Sequence, residues 1–538
     1  MIKKFASAVV LLLAATVFVA PGSSAVNSTL PQWAENAVIY EVNVRQFSPA
    51  GNFKAVENAI PRLKSLGVDI LWLMPIHPIS LVNRKGSLGS PYSVGNYTEI
   101  NPSYGTAQDF QALVDAAHAQ GMKVIIDWVA NHSGWDNPWL LAHKDWYTQD
   151  RNGNVIWPSG TDWTDVADLN YGNASMRRAM TDAMKYWVST FGIDGFRCDV
   201  AGAVPRDFWE STKAELDAIK PVFMLAENGD DLGLLNSAFH ANYGWELQSN
   251  MRGLVNSGDS PAVIQDMAAW NLQSYPANSF SMNFITNHDE NSWNGTEYER
   301  YGSAANAMAV LTYTLPGMPL IYNGQEIGLD RRLSFFDKDQ IDWNAKTLAL
   351  YPKLNALKHD NAALNVGAAR GSFATLKSSN SASFVFGRAG GGDKVVTVIN
   401  AANVTKSFSF NAGTFAGYYK DVISGIKIRL RTTNQVRLGA WKYRVLTSDV
   451  SNAPTVEIKS LSLGSPLMKL QRGAVRQLSP VFTPAVVTDN FVTWKSSRPK
   501  VVSVSADGTI RAVGAGTAVI RATAARGGAG AKITITVS

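Results

Sequence analysis

Lys123-Val124-Ile125-Ile126-Asp127-Trp128-Val129 runs directly into Ala130-Asn131-His132. Only Lys123 and Asp127 interrupt the apolar character of the first seven residues, and four of the seven are β-branched. Such a run predicts a strand buried on both faces, as a parallel sheet under helices requires. The flanks support this. Upstream, Ala107–Gln120 reads as a helix, Asp69–Pro75 as a strand, Val56–Leu66 as a helix and Val38–Arg45 as a strand. Downstream, an irregular insertion, residues 131–173, precedes helix Ala174–Phe191 and strand Gly195–Val200. Helix Pro205–Ile219 and strand Val222–Glu227 follow. Weaker patterns place a sixth strand at Ala241–Gln248, a seventh at Ser279–Thr286, a helix at Ala304–Thr314 and an eighth strand at Pro319–Asn323. Eight strand–helix units predict an α/β fold, a (β/α)8 TIM barrel over residues 26–359, with the insertion added to the usual ~250 residues.

In such a barrel the site lies at the C-terminal ends of the strands. Four strands close on polar groups: Asp127 with Asn131 and His132, Arg197 with Asp199, Glu227, and Asn287-His288-Asp289. One such ending is an ordinary solvent-facing residue; four on one rim form a constellation. Arg197 and Asp199 are two apart on a strand and point to the same side. A guanidinium there predicts a lowered carboxyl pKa, which suits a carboxylate nucleophile. Glu227 follows Met224-Leu225-Ala226 on the next strand. Apolar neighbours predict a raised pKa, which suits an acid catalyst. Two carboxyls pushed apart in this way predict a glycosidase. A separation of about 5–5.5 Å predicts retention of configuration.

These segments resemble the α-amylase family of glycoside hydrolases (family 13). Asp127–His132, Gly195–Asp199, Glu227 with its lead-in and Phe284–Asp289 are similar to its four signatures. Gly67–Pro75, Ser90-Pro91-Tyr92 with Tyr97, Asn101–Gly105 and Gly317–Glu326 are similar to its flanking motifs, so the match runs from about residue 37 to 345. The resemblance implies a nucleophile at Asp199, a general acid/base at Glu227, and Asp289 on the hydroxyls of the sugar at the cleaved bond. It implies His132 and His288 as hydrogen-bond donors to that sugar, Tyr92 stacked beneath it, and Arg197 orienting Asp199. It also implies a structural calcium with Asn131 and Asp168 among its oxygen ligands. Ala203 stands where relatives with that site commonly carry His, and Asn96 where a related loop usually has Asp. No organic cofactor is implied. The substrate implied is an α-1,4-glucan or maltooligosaccharide. An exo-α-glucosidase, a cyclodextrin hydrolase, a transglycosylase and a non-catalytic glucan-binding protein stay open beside an α-amylase. Five of the 16 Trp fall in the insertion, at 135, 139, 146, 157 and 163, where most are expected in a small core and one or two against glucan.

After His359 the pattern turns to short period-two runs. Residues 360–450 predict a small all-β domain, with strands in Gly371–Gly387, Asp393–Ala401 and Ala440–Thr447. Ser451–Pro454 reads as a linker, and residues 455–538 as a β-sandwich. Thr493–Ser497, Val504–Gly508 and Gly514–Val519 resemble bacterial Ig-like domains of group two. From Ser451 onward there are 11 basic and 3 acidic residues, against 38 and 40 in the remainder, so the net charge of +6 resides in the tail. That excess suits contact with an anionic cell envelope or a polysaccharide. No nucleic-acid motif is present.

At the start, Lys3-Lys4, the apolar run Ala8–Ala20, the break Pro21-Gly22 and the small residues Ser23-Ser24-Ala25 predict a signal peptide over residues 1–25. A secreted protein is expected, extracellular or periplasmic, with no transmembrane segment. Cys198 is the single cysteine, so stability must come from burial rather than from disulfides.

Overall fold

The computed structural model describes residues 29–524 and 528–538; the expected signal peptide lies outside them. Eight parallel strands close into a barrel in the order β1-β10-β9-β8-β7-β6-β3-β2. They are β1 (Ile39–Val42), β2 (Ile70–Leu73), β3 (Lys123–Val129), β6 (Gly195–Asp199), β7 (Phe223–Ala226), β8 (Ala241–Tyr243), β9 (Phe280–Asn283) and β10 (Met318–Tyr322). A two-stranded hairpin, β4 (His132–Gly134) and β5 (Val166–Asp168), anchors the insertion.

The alternation of side chains sorts the barrel into two cores. Ile39, Ile70, Trp72, Ile125, Phe223, Leu225, Met282 and Leu320 pack together inside. Tyr40, Val42, Val124, Ile126, Trp128, Phe196, Cys198, Met224 and Ala226 face the surrounding helices. Positions two along from the inner set therefore point inward at the rim: Glu41, Asp127, Arg197, Asp199 and Glu227. Gly195 allows β6 to lie where it does. Its φ is +153°, and a Cβ there would sit 1.9 Å from the Phe223 carbonyl oxygen on β7. Any side chain would push the strand bearing Asp199 away from the strand that leads to Glu227.

Two elements differ from the reading of the sequence. β1 stops at Val42, because the Asn43 side chain accepts from the Gln46 N–H and starts a helix, Val44–Phe47. β8 stops at Tyr243, and Trp245–Arg252 is a helix. In both places a short apolar run was compatible with either state.

A six-stranded antiparallel sheet follows, in the spatial order 372–375, 383–390, 393–400, 443–447, 417–421 and 427–430, with a second pair at 406–411 and 433–438. The tail forms a four-stranded and a three-stranded sheet around Val502, Ile510, Ile520, Ile533 and Ile535. Ser451–Pro454 was expected as a linker, yet the tail is docked. The edge strand 427–430 donates from Lys427 N to the Pro454 carbonyl (3.0 Å) and from Arg429 N to the Thr488 carbonyl (2.6 Å). The buried Asp489 carboxylate lies 3.5 Å from Arg429 and 2.6 Å from Arg431. An exposed sheet edge is thereby covered.

Candidate active site

At the C-terminal rim a cleft of about 750 Å³ is lined by Tyr92, His132, Asp199, Glu227, His288 and Asp289, among others. The fully buried Arg197 lies behind it. Its Nη1 donates to Asp127 Oδ1 (2.8 Å) and to Asp199 Oδ1 (2.9 Å), and its Nε donates to the Tyr243 hydroxyl (2.9 Å). Nη2 lies 2.9 Å from Glu227 Oε1, yet it is not aligned to hydrogen-bond to any partner. The guanidinium sits among the rings of Trp72, Tyr92 and Tyr243, 5.3–5.7 Å from their centroids. Such a cage stabilises a desolvated cation.

A second buried cation faces the first. His288 Nδ1 lies 2.5 Å from Glu41 Oε1, and its Nε2 lies 2.7 Å from the Tyr92 hydroxyl and 3.4 Å from Asp289 Oδ2. Burial alone would depress its pKa, but the carboxylates of Asp289 and Glu41 outweigh that and push it up to about 9. The imidazolium donates from both nitrogens. The Tyr92 hydroxyl accepts one of these bonds and donates to Asp127 Oδ2 (3.1 Å), which also accepts from Trp72 Nε1 (3.1 Å). His132 is the opposite case: burial lowers it to about 4. Its Nδ1 accepts from Asn131 Nδ2 (3.2 Å), which leaves the protonated Nε2 as a donor.

Five carboxyls thus share two cations. Burial pushes Glu227 up to about 7 and Asp199 up to about 6, with Arg197 opposing both shifts. The rise at Glu227 follows the expectation from its apolar lead-in. Asp199 departs from it, since Arg197 was expected to hold this carboxyl low and burial outweighs the guanidinium. Both carboxyls move in the same direction, and burial is the larger cause in each.

The backbone after β6 is strained. Val200 has φ +44° and ψ +41°, a left-handed conformation that a β-branched residue resists at a cost of about 1–3 kcal/mol. At this turn the Val200 N–H donates to Glu227 Oε2, 2.8 Å away.

Several cleft residues escaped the reading of the sequence. Glu41 had a signal, as a lone acid inside an apolar barrel strand. Lys85, Trp245, Trp293, Phe335 and Phe336 also line the cleft, and loops or a misread strand carry them. Of the insertion tryptophans, Trp163 lines the cleft, Trp135, Trp139 and Trp146 pack on the core, and Trp157 is exposed.

Asn131 and Asp168 are neighbours across the β4–β5 hairpin, where the Leu169 N–H donates to the Asn131 carbonyl (3.1 Å). Burial raises the Asp168 carboxyl and only a bond with Thr148 opposes this. A half-buried carboxylate with no cation paired to it among the described residues fits the oxygen chemistry of a hard cation. The described residues hold no group of three His, Cys, Asp or Glu suited to a metal, so carbonyls and water would have to complete the shell.

Residues 27–364 match the family model for the α-amylase catalytic domain. The chain belongs to the α-amylase family. Residues 457–535 match the bacterial Ig-like domain of group 2. Alpha-amylase MalA of Haloarcula japonica is 29% identical over 415 residues, which is 73% of this chain and 59% of that protein. Alpha-amylase 3 of Dictyoglomus thermophilum is 28% identical over 338 residues, 55% of this chain and 65% of that one. The chain thus spans about three-fifths of the length of these curated relatives. The crystal structure of an α-amylase from Lactobacillus plantarum superposes with a TM-score of 0.69 at 30% identity, over 77% of this chain and 99% of that one. A maltogenic α-amylase from Thermotoga neapolitana gives 0.70 at 27%, with the same coverage. No helix among the described residues is long and apolar enough to cross a membrane.

The raised Glu227 pKa has a consequence for stability. A carboxyl moved from 4.5 to about 7 costs the folded state nothing below the lower value and most above the higher one. Glu227→Gln is therefore expected to raise Tm near pH 8 by more than it does near pH 5. Calorimetry at the two pH values checks this, and an equal change at both would contradict the shift.

Proposed function

We propose that the protein hydrolyses α-1,4-glucosidic bonds in starch-like glucans or maltooligosaccharides with retention of anomeric configuration. The observation that carries the reading is the pair Asp199 and Glu227, on adjacent barrel strands, facing one cleft across one guanidinium. Ionised Asp199 attacks the anomeric carbon of the bound sugar while Glu227 passes its proton to the departing glycosidic oxygen. A covalent glycosyl–Asp199 ester forms. Glu227, now a carboxylate, takes a proton from water, and that water opens the ester at the same face-inverted carbon; two inversions give net retention. Arg197 keeps Asp199 oriented and does not touch the sugar. Asp289, His132 and charged His288 offer polar contacts to the same ring, and Tyr92 offers it a flat face.

The test is reducing-sugar release from maltoheptaose, with NMR of the first-formed product. The α-anomer is expected, kcat/KM should peak between about pH 6 and 7 as acid titrates Asp199 and alkali titrates Glu227, and Asp199→Asn should abolish turnover. A β-anomeric product, or near-normal turnover in that variant, would refute the assignment.

Asn131 and Asp168 would hold a structural calcium that ties the insertion to the barrel; no chemical step depends on it. Added Ca²⁺ is expected to raise Tm of the chelator-treated protein and to lose that effect in Asp168→Ala. A shift that persists in the variant would place any ion elsewhere.

Export is the remaining part of the reading, supported by the basic, apolar and small-residue segments of residues 1–25. The basic tail then faces the envelope or a polysaccharide. N-terminal sequencing of protein recovered outside the cytoplasm is expected to begin at Val26, and a chain that keeps residues 1–25 would oppose it.

A further inference from the structure

The loop between β2 and Tyr92 forms a strap from one wall of the cleft to the other, and its Lys85 and Ser90 line the cleft. On one side, Leu81 N donates to Asp136 Oδ2 (2.7 Å), and Lys85 Nζ lies 3.0 Å from Asp165 Oδ1 and donates to the Asp162 carbonyl (2.8 Å). Asp162 and Asp165 belong to the insertion wall of the cleft. On the other side, the Ser87 N–H and hydroxyl donate to Asp337 Oδ1 (2.8 and 2.6 Å), and Leu88 N donates to the Phe336 carbonyl (3.0 Å). Phe336 belongs to the opposite wall, with Trp293 and Phe335. Between the two anchorages, Gly86 approaches so closely that a Cβ would lie 2.5 Å from Phe336 Cβ. Buried Arg45 fixes the strap from beneath, with Nη1 donating to the carbonyls of Gly89 (3.0 Å) and Phe335 (3.1 Å). Four successive residues, Lys85 to Leu88, thus join one wall to the other.

The strap has a direction relative to the chemistry. It continues through Ser90 into Tyr92, whose ring is stacked against His288 (5.4 Å, 20°) and Phe335 (6.1 Å, 9°). On the reading above, the sugar attacked by Asp199 lies over this floor. The departing part of the chain lies on the Glu227 side, lined by Val200, which directly follows β6, and by Trp245, which opens the helix after β8. The closed end therefore receives the sugar units ahead of the cleaved bond, on the non-reducing side.

Resting on the α-glucan hydrolase reading, we infer that the protein is exo-acting: it seats the non-reducing end of an α-glucan against the Lys85–Leu88 strap and releases short oligosaccharides of limited length. A polymer cannot thread through an end closed by backbone held on both sides, whereas a chain terminus fits.

The test compares two maltoheptaosides, one with a free non-reducing glucose and one with that glucose blocked by a 4,6-ethylidene group, with products resolved by chromatography. The blocked compound is expected to react about 100-fold more slowly, as a closed pocket rejects added carbon. In the double variant Lys85→Ala, Asp337→Ala, which removes the Lys85 bonds to one wall and both Ser87 bonds to the other, the gap should narrow. Equal rates for the two compounds on the native protein would overturn the exo assignment and leave the hydrolase reading intact. An undiminished gap in a folded double variant, with native Tm and circular dichroism, would overturn the role of the strap. Failure to cleave either compound would overturn the hydrolase reading, and this inference with it.

Discussion

A single guanidinium, fully buried, touches the carboxyls of three different barrel strands, and the rest of the site is arranged around that fact. Taking a charge out of water is costly unless its partners are fixed. Here Arg197 is fixed by Asp127, Tyr243 and three aromatic rings, so its charge is present before any ligand arrives. The acids around it outnumber the bases, and burial prevents all of them from ionising together. Protons must then reside somewhere. Burial pushes both Glu227 and Asp199 up, and Arg197 Nη2 approaches Glu227 off the hydrogen-bond direction. A proton held within this group of acids follows from charge balance and burial.

The barrel supplies the rigidity this balance needs. Inward-pointing positions two residues apart carry apolar contacts at the base and charged groups at the rim, so one strand both packs the core and presents the chemistry. Gly195 shows how tightly the strands are set. The loops add what the strands lack: the insertion brings Trp163, the loop after β10 brings Phe335 and Phe336, and the strap connects these walls. The tail domain stands apart from the chemistry and covers the open edge of the second domain through Asp489.

The legible part of the sequence was the part governed by simple periodicity. Lys123–Val129 and Ala174–Phe191 have the bounds their patterns indicated, because long runs leave little choice of state. The polar strand endings pointed to Asp199, Glu227 and His288 because an inward charge at the rim is conspicuous beside apolar neighbours. Short runs were ambiguous, which is why Trp245 was assigned to a strand. The position of Asp199 on the pH scale was misjudged, since one nearby Arg is visible in sequence and the depth of burial is not. The strap was invisible for a related reason: its contacts join residues 44 to 250 positions apart, many of them through backbone groups.

Val200 adds a backbone tether to Glu227. The group that holds Glu227 Oε2 is a peptide N–H, common to nineteen of the twenty residue types. The hydrogen bond at position 200 thus does not depend on side-chain chemistry, although the left-handed backbone there disfavours β-branched residues and proline is barred from it. The support of Glu227 at this place resides in a twist of the main chain and not in any side chain.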